Sequence, residues 1–237
     1  MINVHFFGCS FTAGDELADD QLFHWKHECK DATEYFARRD PPRGYQERNK
    51  RLAYPALLQS AEIKTFNHAK NGAGIRENII SLMELVSKNT KIDCVYFQIS
   101  PSGRELVVDE KDYITSLHLA WDHPGFERYL DAKRVSHKLW QYSLEDFADL
   151  ILLHGYLKNK GIKHKFLELE NWINEFRVND LKNTKFRFMI NEYYKLPILN
   201  ISAQLKSFPK LLGNHFSKEA HGEISRLVSL DLKEINS

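Results

Sequence analysis

The chain has 237 residues, in which 33 basic side chains face 32 acidic ones. That balance supplies no general pull towards nucleic acid or anionic lipid, so a small molecule or a neutral polymer is the expected partner. A hydrophobic content of 43% with 27% charge excludes wholesale disorder, and the length is sufficient to bury one sizeable core.

The first predicted element is an apolar, β-rich strand from Ile2 to Phe7 that ends at Gly8. The start of the chain lacks the basic, apolar and small-residue succession of a secretory signal, and no apolar run approaches the roughly 18 residues of a membrane helix. Cys9, Cys29 and Cys94 have no paired spacing, so no disulfide framework is expected. These features predict a cytoplasmic protein without a membrane partner.

Ile63 to Phe66 is a weaker strand closed by Asn67, after which Ile75, Ile79, Met83 and Val86 recur at helical spacing. Cys94 to Ile99 is nearly continuous in apolar character, as expected of a parallel strand covered on both faces. Leu144, Phe147, Ile151 and His154 mark a helix that stops at Gly161. Lys165 to Leu169 and Pro197 to Ile201 read as the last strands. Ser217 then caps a final helix that carries Ala220, Ile224, Leu227 and Val228 on one face. This alternation predicts an α/β fold, a three-layer α/β/α sandwich on a mostly parallel sheet of five strands, in a single domain over 1–237.

Two stretches are too long for plain connections. Asp15 to Leu52 is rich in charge and aromatics and is broken by Pro41-Pro42. Ser100 to Leu139 holds Tyr113, Trp121, Phe126 and Tyr129, with Trp140 just beyond. Both leave from strand C-termini, the edge where open α/β sheets place their ligands. They read as lid or pocket-wall insertions, with plain surface helices as the alternative.

The segment Gly8-Cys9-Ser10-Phe11-Thr12-Ala13-Gly14 follows the first strand directly. A phosphate-binding P-loop would need Lys and then Ser or Thr after the second glycine; Asp15 and Glu16 stand there and would repel phosphate. An α/β-hydrolase elbow would need glycine at Thr12 and several earlier strands. A nucleophilic serine at a strand end fits better. Flanking glycines would let the backbone approach a substrate, and the Ser10 N–H could point at a developing oxyanion. A tight turn with an N-capping serine is the alternative. Serine also needs a base within hydrogen-bond reach, and His215, just before the last helix, has the position for it. His24, His27 and Cys29 do not complete a four-ligand zinc pattern, so neither a metal nor a cofactor is expected. Lys64, Lys70, Lys158, Lys160, Lys163 and Lys165 read as a solvated face rather than a nucleic-acid surface.

Phe7 to Gly14 resembles the first block of the SGNH (GDSL-like) hydrolases, whose serine nucleophile follows the first strand. Asn67-His68-Ala69-Lys70-Asn71-Gly72-Ala73-Gly74 resembles the second block, and Asn214-His215-Phe216-Ser217-Lys218-Glu219-Ala220-His221 the last. The resemblance implies a flavodoxin-like sheet and a serine esterase with Ser10 and His215 as catalytic residues. Ser10, Gly72 and Asn71 would form the oxyanion hole, and His221 would pack structurally. The substrate would be a small-molecule or carbohydrate ester, with O-acyl groups on a sugar as one case. Two departures stand out. The aspartate usual two residues before the basic histidine is Gly213 here, which leaves the acceptor for His215 open between Asn214, a backbone carbonyl and an acid from an insertion. The usual Gly-x-Asn-Asp after the third strand is replaced by Gln98-Ile99-Ser100-Pro101-Ser102-Gly103-Arg104-Glu105, closer to a variant of bacterial and phage members. There Arg104 would bind a substrate carboxylate, phosphate or sugar hydroxyl, or else pair with Glu105 or another surface acid. A catalytically impaired binding or structural protein on the same scaffold is the rival expectation.

Overall fold

A computed structural model describes residues 1–14, 17, 45–100, 104–108, 114–118, 139–170, 178–211 and 215–236. The strands are β1 (Ile2–Phe7), β2 (Ile63–Asn67), β3 (Cys94–Gln98), β4 (Arg104–Val108), β5 (Ile114–His118), β6 (Lys163–Glu168) and β7 (Ile198–Asn200). The helices are α1 (Ser10–Ala13), α2 (Tyr45–Leu52), α3 (Tyr54–Leu57), α4 (Ile75–Ser87), α5 (Leu139–Asn159), α6 (Val178–Lys182), α7 (Phe188–Tyr193), α8 (Ser202–Leu205) and α9 (Lys218–Asn236).

Alternation along the strands sorts side chains into two cores. On β1, Val4 and Phe6 face one way; with Cys94 and Tyr96 of β3 they pack against Ala220, Ile224, Val228 and Leu232 of α9. Phe7 of β1 faces the other way, and with Val95 and Phe97 it meets Ile75 and Leu82 of α4 and Phe147, Leu150, Leu153 and Leu157 of α5. A sheet covered on both faces must be largely apolar on both, which explains the mostly apolar runs in β1 and β3. Each fully buried large side chain here contributes about 1.5–3 kcal/mol relative to exposure. The last helix begins as its cap residue requires: the Ala220 N–H reaches the Ser217 hydroxyl at 3.4 Å.

The five-stranded sheet runs β2-β1-β3-β6-β7, parallel throughout. The chain steps from β1 out to β2 and then back across to β3. The strand order therefore reverses beside the carboxyl end of β1, where α/β sheets open a crevice for ligands. Ser10 follows that strand end.

The long insertions are described only in part. Within 100–139, β4 and β5 pair as an antiparallel ribbon that touches α4, so this part is strand rather than surface helix. Tyr113, Trp121, Phe126 and Tyr129 lie outside the described residues, as do His24, His27 and Cys29. The expected solvated lysine face needs one correction. Lys165 Nζ is 3.2 Å from the buried carboxylate of Asp231, which also accepts the Tyr96 hydroxyl at 2.6 Å. That carboxylate, carried on α9, would otherwise lie buried without a counter-charge, and Lys165 supplies one. Among the described residues no helix is long and apolar enough to cross a membrane.

Candidate active site

Ser10 is the first residue of α1, a single turn that leaves β1 directly, and 9% of its surface is exposed. The N-cap position belongs to Cys9, in extended conformation, so the Ser10 hydroxyl is not spent as a cap. Gly14 closes the turn with φ 74° and donates its N–H to the Ser10 carbonyl. The flanking glycines meet a packing demand that the sequence did not show. A Cβ on Gly8 would overlap the Gln98 side chain and the Thr12 hydroxyl; one on Gly14 would meet Ala53 Cβ at 2.6 Å. Both glycines are required by close packing inside the protein.

The second block is joined to the first. The Lys70 N–H donates to the Gly8 carbonyl at 3.2 Å, and Asn67 Nδ2 donates to the Thr12 carbonyl at 2.9 Å. The Ala73 N–H then closes a turn onto the Lys70 carbonyl at 3.2 Å, with exposed Asn71 and half-buried Gly72 at its centre. Gly72 has φ 79°, which L side chains rarely adopt, while the space beside its Cα is open. Glycine is therefore needed there for conformation alone. Among the described residues neither the Ser10 N–H nor the Gly72 N–H is taken up by an acceptor.

Arg104 comes to the same loop from β4. Its Nη1 donates to the Ala73 carbonyl at 2.6 Å, and its Nε is buried. Neither expected role was this one: the guanidinium braces the turn that carries Gly72. Ser100, just past β3, is fully buried, and 101–103 lie outside the described residues.

His215 is half-buried, and its ring centroid lies 5.3 Å from that of Phe11, the residue after Ser10. The serine and the histidine thus occupy the same carboxyl edge of the sheet. The strand-like bridge between Lys210 and Phe216, with the Leu211 N–H on the His215 carbonyl at 2.8 Å, closes the loop around His215. Lys210 Nζ sits 3.5 Å from the Phe216 ring centroid and 2.6 Å from a Glu170 oxygen. Gly213 and Asn214 lie outside the described residues. His221 is 1% exposed and accepts the Tyr54 N–H on Nδ1 at 3.0 Å, a packing role as expected. Burial pushes its pKa down to about 3, helped by the nearby charges of His215 and Lys210. His68, in the second block, bonds ring to ring with His5 at 2.9 Å. Its pKa falls to about 4, mainly through burial. Among the described residues no cluster of His, Cys, Asp or Glu could hold a metal ion.

Sequence reasoning missed the polar frame under Ser10. Gln98 Oε1 accepts the Cys9 N–H at 3.1 Å and the Thr12 hydroxyl at 2.6 Å. Thr12 Oγ1 lies 3.0 Å from the Tyr54 hydroxyl. The available signal was a glutamine at the end of an otherwise apolar strand.

No family profile matches the chain, and no curated protein matches it in sequence. Solved structures do match. The esterase EstA of Pseudoalteromonas sp., in a structure inhibited by monoethylphosphonate, superposes with a TM-score of 0.53 at 11% identity, over 100% of both chains. A G-D-S-L family protein of Desulfitobacterium hafniense, named for lipolytic activity, gives 0.50 at 16% identity over 97% of this chain and 98% of that one. An acetyl xylan esterase of the rumen bacterium Butyrivibrio proteoclasticus gives 0.50 at 10% identity over 98% of this chain and 63% of that one. The chain has the SGNH-type hydrolase fold.

Proposed function

We propose that this protein is a serine hydrolase of carboxylic esters, acting on an O-acyl group of a small-molecule or carbohydrate substrate. The Ser10 hydroxyl attacks the ester carbonyl while His215 takes its proton. The backbone N–H groups of Ser10 and Gly72 stabilise the oxyanion, with Asn71 as a third donor. His215 then protonates the leaving alcohol, and water hydrolyses the acyl-serine by the same route. Arg104 acts beside this centre. Its guanidinium already serves the Ala73 carbonyl, so a substrate carboxylate or hydroxyl would share it.

One observation supports the reading: the turn that carries Ser10 is bonded to the loop that carries Gly72, and its Phe11 packs beside His215, at the sheet edge where the strand order reverses. The ester-cleaving proteins that share the fold, one of them acting on acetyl xylan by name, support the substrate class. Gly213 favours a second reading, a binding protein with its catalysis lost, because an imidazole without an acceptor samples the wrong tautomer; in a Ser-His-Asp triad that loss costs about four orders of magnitude. Labelling with a fluorophosphonate decides between them. The native chain should label and Ser10→Ala should not; an unlabelled native chain would favour the binding protein. Gly213→Asp should leave ester turnover unchanged or lower, since another group then already serves His215. Strong activation would show that no acceptor is present now.

A further inference from the structure

We propose that Gln98 is a positioning residue for the nucleophile: its side-chain oxygen gathers donors from both sides of Ser10 and so sets where the serine sits. The proposal rests on the reading of Ser10 as nucleophile and adds to it the group that orients that residue.

Gln98 ends β3 and is 1% exposed. The Cys9 N–H can only donate, so the amide atom facing it at 3.1 Å must be the oxygen. The Thr12 hydroxyl donates to the same oxygen at 2.6 Å, which spends its single proton. The Tyr54 hydroxyl, 3.0 Å from Thr12 Oγ1, is then the donor of that pair. Burial raises the Tyr54 pKa and keeps this proton in place. The hydrogen bonds thus run one way, from Tyr54 through Thr12 to Gln98, with Cys9 arriving from the other side. The amide is completed by Nε2, which reaches Cys9 Sγ at 3.3 Å.

Cys9 immediately precedes Ser10 and Thr12 follows two residues later, so both are held by one atom of the sheet. Gly8 has no room for a Cβ because Gln98 and Thr12 already occupy that volume. An apolar side chain would suit the surroundings of Gln98, where Tyr96 and Leu167 are fully buried, at lower desolvation cost. A buried amide is justified there by the donors it collects.

The test is Gln98→Met, which keeps the volume and removes the acceptor. Because a small displacement of a reacting group can cost about 100-fold, kcat for a nitrophenyl acetate probe should fall roughly 10- to 100-fold with KM within about twofold. Exchange of the Cys9 amide hydrogen should accelerate while the strand amides of β3 stay protected. Gln98→Glu, which still accepts both donors, should restore most of kcat. Native kcat, or an unchanged Cys9 amide, in a folded Gln98→Met protein would overturn the proposal. If Gln98→Met does not fold, Thr12→Val removes one donor alone, and native kcat there would be equally fatal. If the native chain takes up no fluorophosphonate, the esterase reading fails by itself. Exchange at Cys9 then still decides whether Gln98 holds the turn.

Discussion

Lowering the pH should destabilise this protein through His221. The side chain is 1% exposed, and its Nδ1 is committed as acceptor to the Tyr54 N–H at 3.0 Å. A proton on that nitrogen would set two donors against each other in a buried site. Burial first, and the charges of His215 and Lys210 second, carry the pKa from 6.5 down to about 3 in the folded chain. The unfolded chain binds a proton at the ordinary value. Between the two pKa values the unfolded state carries a proton that the native state refuses, so stability is complete above the ordinary value and falls as pH drops towards the lower one. At about 1.36 kcal/mol per unit, going from neutral to pH 5 removes about 2 kcal/mol through this residue, and the whole window about 5 kcal/mol. Urea unfolding at pH 7 and pH 5 measures it, with His221→Gln as the reference, since glutamine can accept the Tyr54 N–H but has no proton to gain. His5, His68, His154 and His164, all lowered mainly by burial, add the same slope to both proteins. The native chain should therefore lose about 2 kcal/mol more than the variant over this interval. Equal losses would refute the reasoning.

Gly8→Ala should cost about 1–3 kcal/mol by overpacking against Gln98 and Thr12, read as a lower urea midpoint, and should reduce kcat because Ser10 lies on the displaced turn. Gly72→Ala meets no atom but forces a left-handed residue, at a cost of about 1–2 kcal/mol; its loss in kcat should exceed what that small destabilisation explains. Asp231→Asn removes the charge opposite Lys165 and weakens the hydrogen bond from the buried Tyr96 hydroxyl. Thermal unfolding should show a loss of about 1–3 kcal/mol with esterase kinetics unchanged, because this pair joins α9 to β6 and makes no bond to Ser10.

The sheet was legible because burial on both faces leaves a plain signature. β1 and β3 are apolar on both sides but for His5 and Gln98, and the predicted strands match the observed ones to within a residue or two. The last helix was legible for the same reason, through Ala220, Ile224 and Val228 at i, i+4 and i+8, with Ser217 to start it. Isolated side-chain roles were harder to read. Arg104 sits in a motif that invites a substrate role, yet its bond to the Ala73 carbonyl depends on how the β4–β5 ribbon meets the second block, and no local pattern encodes that approach. Lys165 looked like surface because its acidic partner is distant in sequence and arrives from α9. Gly8 and Gly14 were given to the substrate when their neighbours, Gln98 and Ala53, come from distant elements.

These corrections share a direction that bears on the chemistry. Two of the elements expected to face a substrate turned out to be committed to the protein itself, Gly8 to Gln98 and Arg104 to Ala73, and Asn67 adds a bond to Thr12. Such bonds, made before any ligand arrives, restrict Ser10 and the Gly72 turn to one arrangement at the switch point of the sheet. An oxyanion site needs this kind of support, since donors stabilise developing charge in proportion to how little they must reorganise during the reaction. A surface that merely binds can let its polar groups adapt to the ligand. The buried, one-way hydrogen-bond chain from Tyr54 to Gln98 costs desolvation at every member, and that cost is compensated if the chain holds a reacting group in place. The rigidity of the serine side therefore weighs towards catalysis despite the glycine at position 213, and it makes Ser10 the residue whose chemistry should be probed first.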